Sequence, residues 1–386
     1  MPEDLQASVL AALGASAGEI EELLAYNENV FDLGSLVAGM QIPLPDEPFV
    51  ATWESWAEEA RTLGAWAVLR EHLPQLGFPI RAGISATEAY RAATRKGVPV
   101  ETIPEATGLE LARPEAIEIV LHESAAGRIP LLIARDRDDF MALIRGLTKK
   151  NEPSPISPSQ GALMVSGYNN WGRIRELRHQ WEARAPADRE TATWSEEFAR
   201  IASHRELYQD RFILLSDGPY SGVPASDLGL EETAWREMSL VIRRDHECAH
   251  YFTRRVFGSM RNNLLDELIA DYAGISAALG RFRADWCLRF LGARLELYRG
   301  KPPLSDGAFR VLRALVTAAA ENLERFDIQL PACGGIKDRA VRIAALASLR
   351  LEDFAGPDAA NRLGEATDQV RSKLRRPTLE STLPFS

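Results

Sequence analysis

The sequence predicts a mostly helical α+β protein, and three observations carry that expectation. Apolar residues recur at helical spacing over long stretches near both ends, as in Leu5 to Tyr26 and Phe309 to Phe326. Three short apolar runs in the middle, Ile129 to Ala134, Ala162 to Ser166 and Arg211 to Ser216, read as strands of a small mixed sheet because helical or loop-forming segments separate them. Two successive helical stretches follow, Trp235 to Val256 and a second beginning after Asn262 or Asn263, with polar residues placed to face each other. Three regions result: a helical 1–110, a small α/β region at 111–230 and a helical 231–386 that carries the metal-binding motif.

From the N-terminus, Leu5 to Tyr26 and Trp53 to Leu73 each read as a helix, the latter through Trp56, Ala60, Leu63 and Leu69. The Pro-rich stretch Gln41 to Pro48 connects them. Ser85 with Glu88 three residues on is a capping box for a helix through Thr94. The first strand run leads through Arg135 to Asp139 into a helical Phe140 to Leu147, and the loop from Asn151 to Pro158 precedes the second. The third run leads into a Gly/Pro-rich loop, Asp217 to Pro224. Beyond Gly280, Trp286 to Tyr298, Phe309 to Phe326 and Val341 to Leu351 read as helices, and the tail from Pro377 as extended chain.

Composition bounds the function. With 386 residues, 46% hydrophobic and 26% charged, the chain is an ordinary globular protein with ample core. A net charge of -10 argues against a nucleic-acid surface, and the one basic run, Lys373-Leu374-Arg375-Arg376, reads as a solvated helix end. No window reaches eighteen consecutive apolar residues, so no membrane span is expected. The first twenty residues do not look like a secretory signal, and three cysteines (248, 287 and 333) supply no disulfide framework. A cytoplasmic location is expected. His72, His122, His179 and His204 show no metal spacing.

The chemistry concentrates in Asp245-His246-Glu247-Cys248-Ala249-His250-Tyr251. On a helix, His246 and His250 project from one face a turn apart, so their imidazoles can share one metal ion. Glu247 is rotated about 100° from His246, badly aimed to bind the metal but placed to act as a base on a water beside it. This is the H-E-x-x-H pattern. Ser239, Arg243, His246, His250 and Thr253 form a polar ridge on an otherwise apolar helix, which suggests a cleft. Cys248 falls on another face and reads as core.

A catalytic zinc needs three protein ligands and an open position, and this helix supplies two. Glu267, seventeen residues after His250, lies on a helix that can fold back antiparallel once Gly258 ends the first. Asp266 is an alternative third ligand. Glu267 is favoured because Asp271 stands one turn beyond it, able to accept the other ring N–H of a ligand histidine. Gly274 and Ala278 on the same face would allow close approach.

Helix H-E-x-x-H followed by helix E-x-x-x-D resembles the gluzincin metallopeptidases, the thermolysin-like class with a His, His, Glu zinc site. The resemblance covers about forty residues and keeps the Glu and final Asp of the class's second motif, though not its Asn or Ser. It implies a zincin-like core, zinc on His246, His250 and Glu267, Glu247 as general base and Asp271 orienting a histidine. The wider stretch from Tyr208 to Gly274 also resembles uncharacterised bacterial proteins. In zincins the strand before the metal helix commonly borders the substrate cleft, which makes Tyr220 the candidate oxyanion donor. Asn169, in Tyr168-Asn169-Asn170-Trp171, is a candidate cleft residue, and Arg243 is placed either to bind a substrate carboxylate or to pair with an acidic neighbour.

The expected function is a zinc-dependent hydrolase cleaving an amide or peptide bond in a small substrate. Two alternatives use the same residues: a non-haem Fe2+ enzyme with a two-His, one-carboxylate site, and a non-catalytic protein whose metal pins two helices together.

Overall fold

Most stretches of helical periodicity become helix, although the expected Val341 to Leu351 stops at Ala347 and restarts only at Leu351. The computed structural model describes residues 2–258, 263–292, 294–332 and 334–375. In chain order its helices and strands begin with α1 (Pro2–Ala12), α2 (Ala17–Tyr26), α3 (Val50–Leu63), α4 (Ala65–His72) and α5 (Glu88–Lys96). Strands β1 (Ile117–Ser124) and β2 (Gly127–Ala134), helix α6 (Arg137–Thr148), strand β3 (Ala162–Asn169), helices α7 (Trp171–Ala183) and α8 (Trp194–Ser203) and strand β4 (Gln209–Ser216) follow. The rest is helical: α9 (Glu232–Phe257), α10 (Asn263–Leu279), α11 (Ala284–Gly292), α12 (Asp306–Gln329), α13 (Ile336–Ala347), α14 (Leu351–Ala355) and α15 (Ala359–Arg375). The protein is therefore mostly helical with a small four-stranded mixed sheet, an α+β architecture.

The chain divides into two units rather than three consecutive regions. The first comprises residues 1–45, 124–127 and 219–386, the second 46–123 and 128–218. The expected N-terminal region 1–110 is thus split, because α1 and α2 pack on α14 and α12 of the C-terminal helices. In the second unit the sheet order is β1-β2-β4-β3, with β4 parallel to β2 and antiparallel to β3. Its core joins Leu132, Phe212 and Leu214 of the sheet to Trp53 and Trp56 of α3 and Phe140 and Leu143 of α6.

Several expected elements differ in detail. Leu5 to Tyr26 is two helices, parted at Gly14 (φ 90°) and restarted by a Ser16–Glu19 capping box. Trp53 to Leu73 likewise breaks at Gly64, whose φ of 85° a side chain would strain. The cap of α5 is Thr87, which accepts from the Tyr90 N–H, while the Ser85 N–H donates to Glu152. Strand β1, in which Glu118, His122 and Glu123 stand among Ile117, Ile119, Val120 and Leu121, is not among the expected strands. Trp286 to Tyr298 ends as α-helix at Gly292 and resumes as a 3₁₀ turn, Leu295–Tyr298. The expected cap at Asn262, Cys333 and the tail from Pro377 lie outside the described residues.

The first unit carries one buried acid with a pH signature. Glu352 on α14 is 1% exposed; Asn27 Nδ2 donates to its Oε1 at 2.6 Å, while Oε2 has no partner. Burial, aided by Asp353, pushes this carboxyl up to about 7. The folded protein therefore holds this proton more tightly than the unfolded chain. The stabilisation is full below pH 4.5 and is lost as pH rises through 7, a change on the order of 3 kcal/mol. Urea unfolding at pH 5 and pH 8 is expected to show that loss in the native sequence and a flatter dependence in Glu352→Gln; equal slopes in the two proteins would refute it.

Candidate metal centre

Helix α9 runs without a break from Glu232 to Phe257 and stops at Gly258, whose φ of 72° is the left-handed conformation that closes a helix. Its partner is α10, and the pairing order shows that the two run antiparallel. Ile242 meets Gly274, His246 meets Asp271, His250 meets Glu267 and Thr253 meets Asp266. A Cβ at Gly274 would sit 2.5 Å from the Ile242 carbonyl oxygen, so the close approach requires glycine there.

That approach brings three side chains together. The Nε2 atoms of His246 and His250 are 3.1 Å apart, His246 Nε2 is 3.8 Å from Glu267 Oε2, and His250 Nε2 is 3.7 Å from Glu267 Oε1. Both histidines are 6% exposed. Two nitrogens bound to one tetrahedral zinc at its usual bond lengths lie about 3.3 Å apart, so the imidazole pair already has ligand spacing.

A carboxylate stands behind each ring. Asp271 Oδ1 is 2.9 Å from His246 Nδ1, which keeps that proton on Nδ1 and the Nε2 lone pair towards the cluster. Asp266 Oδ2 lies 3.2 Å from His250 Nδ1, within ion-pair distance but off the line of a good hydrogen bond. Asp266 therefore backs a histidine rather than replacing Glu267 beside the Nε2 atoms. Burial opposes a charged His250, but Asp266, Glu267 and Glu247 outweigh it and raise the imidazole to about 10. The pocket is built to hold positive charge. Four carboxylates, Glu247, Asp266, Glu267 and Asp271, surround the histidine pair, and Arg294 pairs with two of them, Glu267 and Asp271, so a divalent cation between the imidazoles fits both the donor set and the electrostatics.

Glu247 is half-buried and makes no hydrogen bond or ion pair among the described residues, yet lies near enough to His250 to raise it. Tyr220 is near the histidines, but on the side opposite to that expected of an oxyanion donor. Its hydroxyl donates to Asp271 Oδ1 at 2.6 Å and lies 2.9 Å from His246 Nδ1, behind the ring. Burial and Asp271 push that phenol well up, so it stays a donor. Phe290 packs edge-on against the Tyr220 ring at 4.8 Å and itself stacks on Trp235.

The polar ridge of α9 is buried and occupied rather than open to a cleft. Ser239 accepts from the Tyr220 N–H, Thr253 donates to His250 O, and Arg243, 4% exposed, donates to Pro219 O at 2.7 Å. Arg243 thus braces the loop entering the site and is not presented to a substrate carboxylate. Asn169 belongs to the other unit, at the end of β3, where it accepts from Gln209 Nε2. Cys248 is buried core, and burial pushes its thiol up.

Two groups were not legible in the sequence. Arg294 is 3.2 Å from Glu267 Oε2 and 3.0 Å from Asp271 Oδ2, and burial together with nearby Glu267 pushes the Tyr298 phenol up. Neither carries a motif, since each reaches the site only through the chain path after α11. In the second unit, Glu59, Glu71 and His72 also bring ligand atoms within 4.8 Å of one another. There Glu71 is exposed and the His72 ring is stacked on Trp56. Among the described residues no helix is long and apolar enough to cross a membrane.

One protein-family model, described as a family of unknown function (DUF7005), matches residues 8–358. No curated protein and no solved structure matches the chain.

Proposed function

The chain belongs to the DUF7005 family of unknown function, and from the site itself we propose that it is a zinc-dependent hydrolase of amide or peptide bonds with a zincin-like core. The observation that carries this reading is Glu247. A half-buried carboxylate with no protein partner among the described residues, on the turn between two paired imidazoles, has the character of a base rather than of a structural acid. A site that only pinned α9 to α10 would have no use for it.

His246, His250 and Glu267 would hold the ion, which when bound supplies a Lewis acid for the substrate carbonyl and lowers the pKa of water. The chain's own groups do the rest. Glu247 takes a proton from the attacking water as its oxygen adds to the carbonyl carbon, then delivers that proton to the departing nitrogen as the C–N bond breaks. A carboxylic acid and an amine leave. Asp271 holds His246 Nδ1 by a hydrogen bond, which turns that Nε2 inward, and Asp266 stands at ion-pair distance behind His250 Nδ1.

The test is the metal content of protein purified without added metal, followed by assay against a mixed library of short peptides and N-acyl amino acids. One zinc per chain, lost in Glu267→Ala together with hydrolysis, is the expected result. Iron in place of zinc, with no hydrolysis, would transfer the same three residues to oxidative chemistry. Absence of any bound metal would sink both.

A further inference from the structure

Arg294 ties one proposed ligand, Glu267, and the carboxylate behind another, Asp271, to one guanidinium. Its Nη1 is 3.2 Å from Glu267 Oε2, and its Nη2 is 3.0 Å from Asp271 Oδ2. The other oxygen of Asp271 holds His246 Nδ1 at 2.9 Å. The arginine is itself held: Nε donates to Phe290 O at 3.4 Å, and the guanidinium lies 5.7 Å from the Tyr220 ring centroid. Its side chain is 15% exposed, and those of Glu267 and Asp271 are 17% and 0%.

We propose that Arg294 is the positioning residue of the metal centre, setting Glu267 and the His246–Asp271 pair in one fixed arrangement by a two-pronged grip. This rests on the metal reading above and adds to it a residue that touches neither the ion nor the substrate. The planar fork is what the geometry requires. Glu267 and Asp271 stand one turn apart on α10, and two diverging N–H groups can reach both at once where a lysine ammonium reaches one well. A role limited to neutralising charge makes the opposite prediction, because an ammonium at the same place serves as well and an uncharged residue would leave a more negative, tighter site for a dication.

The experiment strips the full-length protein of metal with a chelator and titrates it with cobalt(II), reading affinity and the visible absorption that reports coordination. In Arg294→Lys and Arg294→Met alike, cobalt affinity is expected to fall about 10- to 100-fold, with a changed visible spectrum. An Arg294→Lys protein with native affinity and spectrum, alongside an Arg294→Met protein that binds as well or better, overturns the proposal. If Arg294→Met does not fold, Arg294→Lys, which keeps the buried charge, decides alone. A native protein that binds no cobalt overturns the metal reading itself, a failure distinct from native binding that Arg294 substitutions leave unchanged.

Discussion

Glu247→Gln is expected to keep one metal ion per chain while its turnover falls by about 10²–10⁴-fold. The side chains have nearly the same volume, and the half-buried Glu247 makes no hydrogen bond or ion pair among the described residues, so little packing is disturbed. The change removes a proton acceptor. A neutral amide cannot take the proton from water or return it to the leaving nitrogen, whereas the three ligand side chains and the carboxylates behind them are untouched. The loss therefore falls on kcat with KM little changed, because the proton is transferred only on the way to the transition state. Parallel metal analysis and steady-state kinetics check this. Turnover above a tenth of native in metal-replete Glu247→Gln would remove Glu247 from the role of base.

The parts of this centre visible in the sequence are those set by local helix geometry. His246 and His250 meet because four residues make roughly one turn, and Glu267 can join them because a single chain reversal at Gly258 returns α10 along α9. Asp271 follows from Glu267 by the same rule. What the sequence hides depends on how far apart in the chain two groups lie and on which side a ring is approached. Arg294 is 27 residues from Glu267, beyond the end of α11, where the helix's periodicity no longer speaks. Tyr220 was expected near the histidines, but whether a phenol meets Nε2 or Nδ1 is decided by the packing of Phe290 and Trp235, which no spacing encodes. Arg243 does share a face with His246, yet the Pro219 carbonyl claims its guanidinium. A polar stripe on a helix marks a partner, and here the partner is protein.

The same lesson governs the largest stability effect expected in the second unit, at Asp210 on β4. Tyr168 to Trp171 looks like a polar, aromatic cleft lining; Asn169 is exposed at the end of β3, but Asn170 beside it is spent inside. Asn170 Nδ2 and Trp53 Nε1 donate to Asp210 Oδ2 at 2.7 and 2.9 Å, and Arg173 Nη1 donates to Oδ1 at 2.7 Å. Asp210 and Arg173 have side chains 0% and 9% exposed. Burial pushes the Asp210 carboxyl up against the pull of Asn170, Arg173 and Trp53, a sign that desolvation is expensive here and that its partners are what make the charge tolerable. Asp210→Ala strands all three donors, one of them a buried cation, and is expected to cost about 3–5 kcal/mol. The cation is the larger part of that cost. In an Arg173→Met background, Asp210→Asn is therefore expected to cost less than in the native one, since its amide oxygen still serves Trp53 and Asn170 and leaves no guanidinium unpaired. Urea denaturation of the four proteins in the Arg173→Met/Asp210→Asn cycle, with Asp210→Ala beside them, measures both. A cost below about 1 kcal/mol for Asp210→Ala, or the same Asp210→Asn cost in both backgrounds, would show that this network does not hold the sheet to α7 and α3 as its geometry implies.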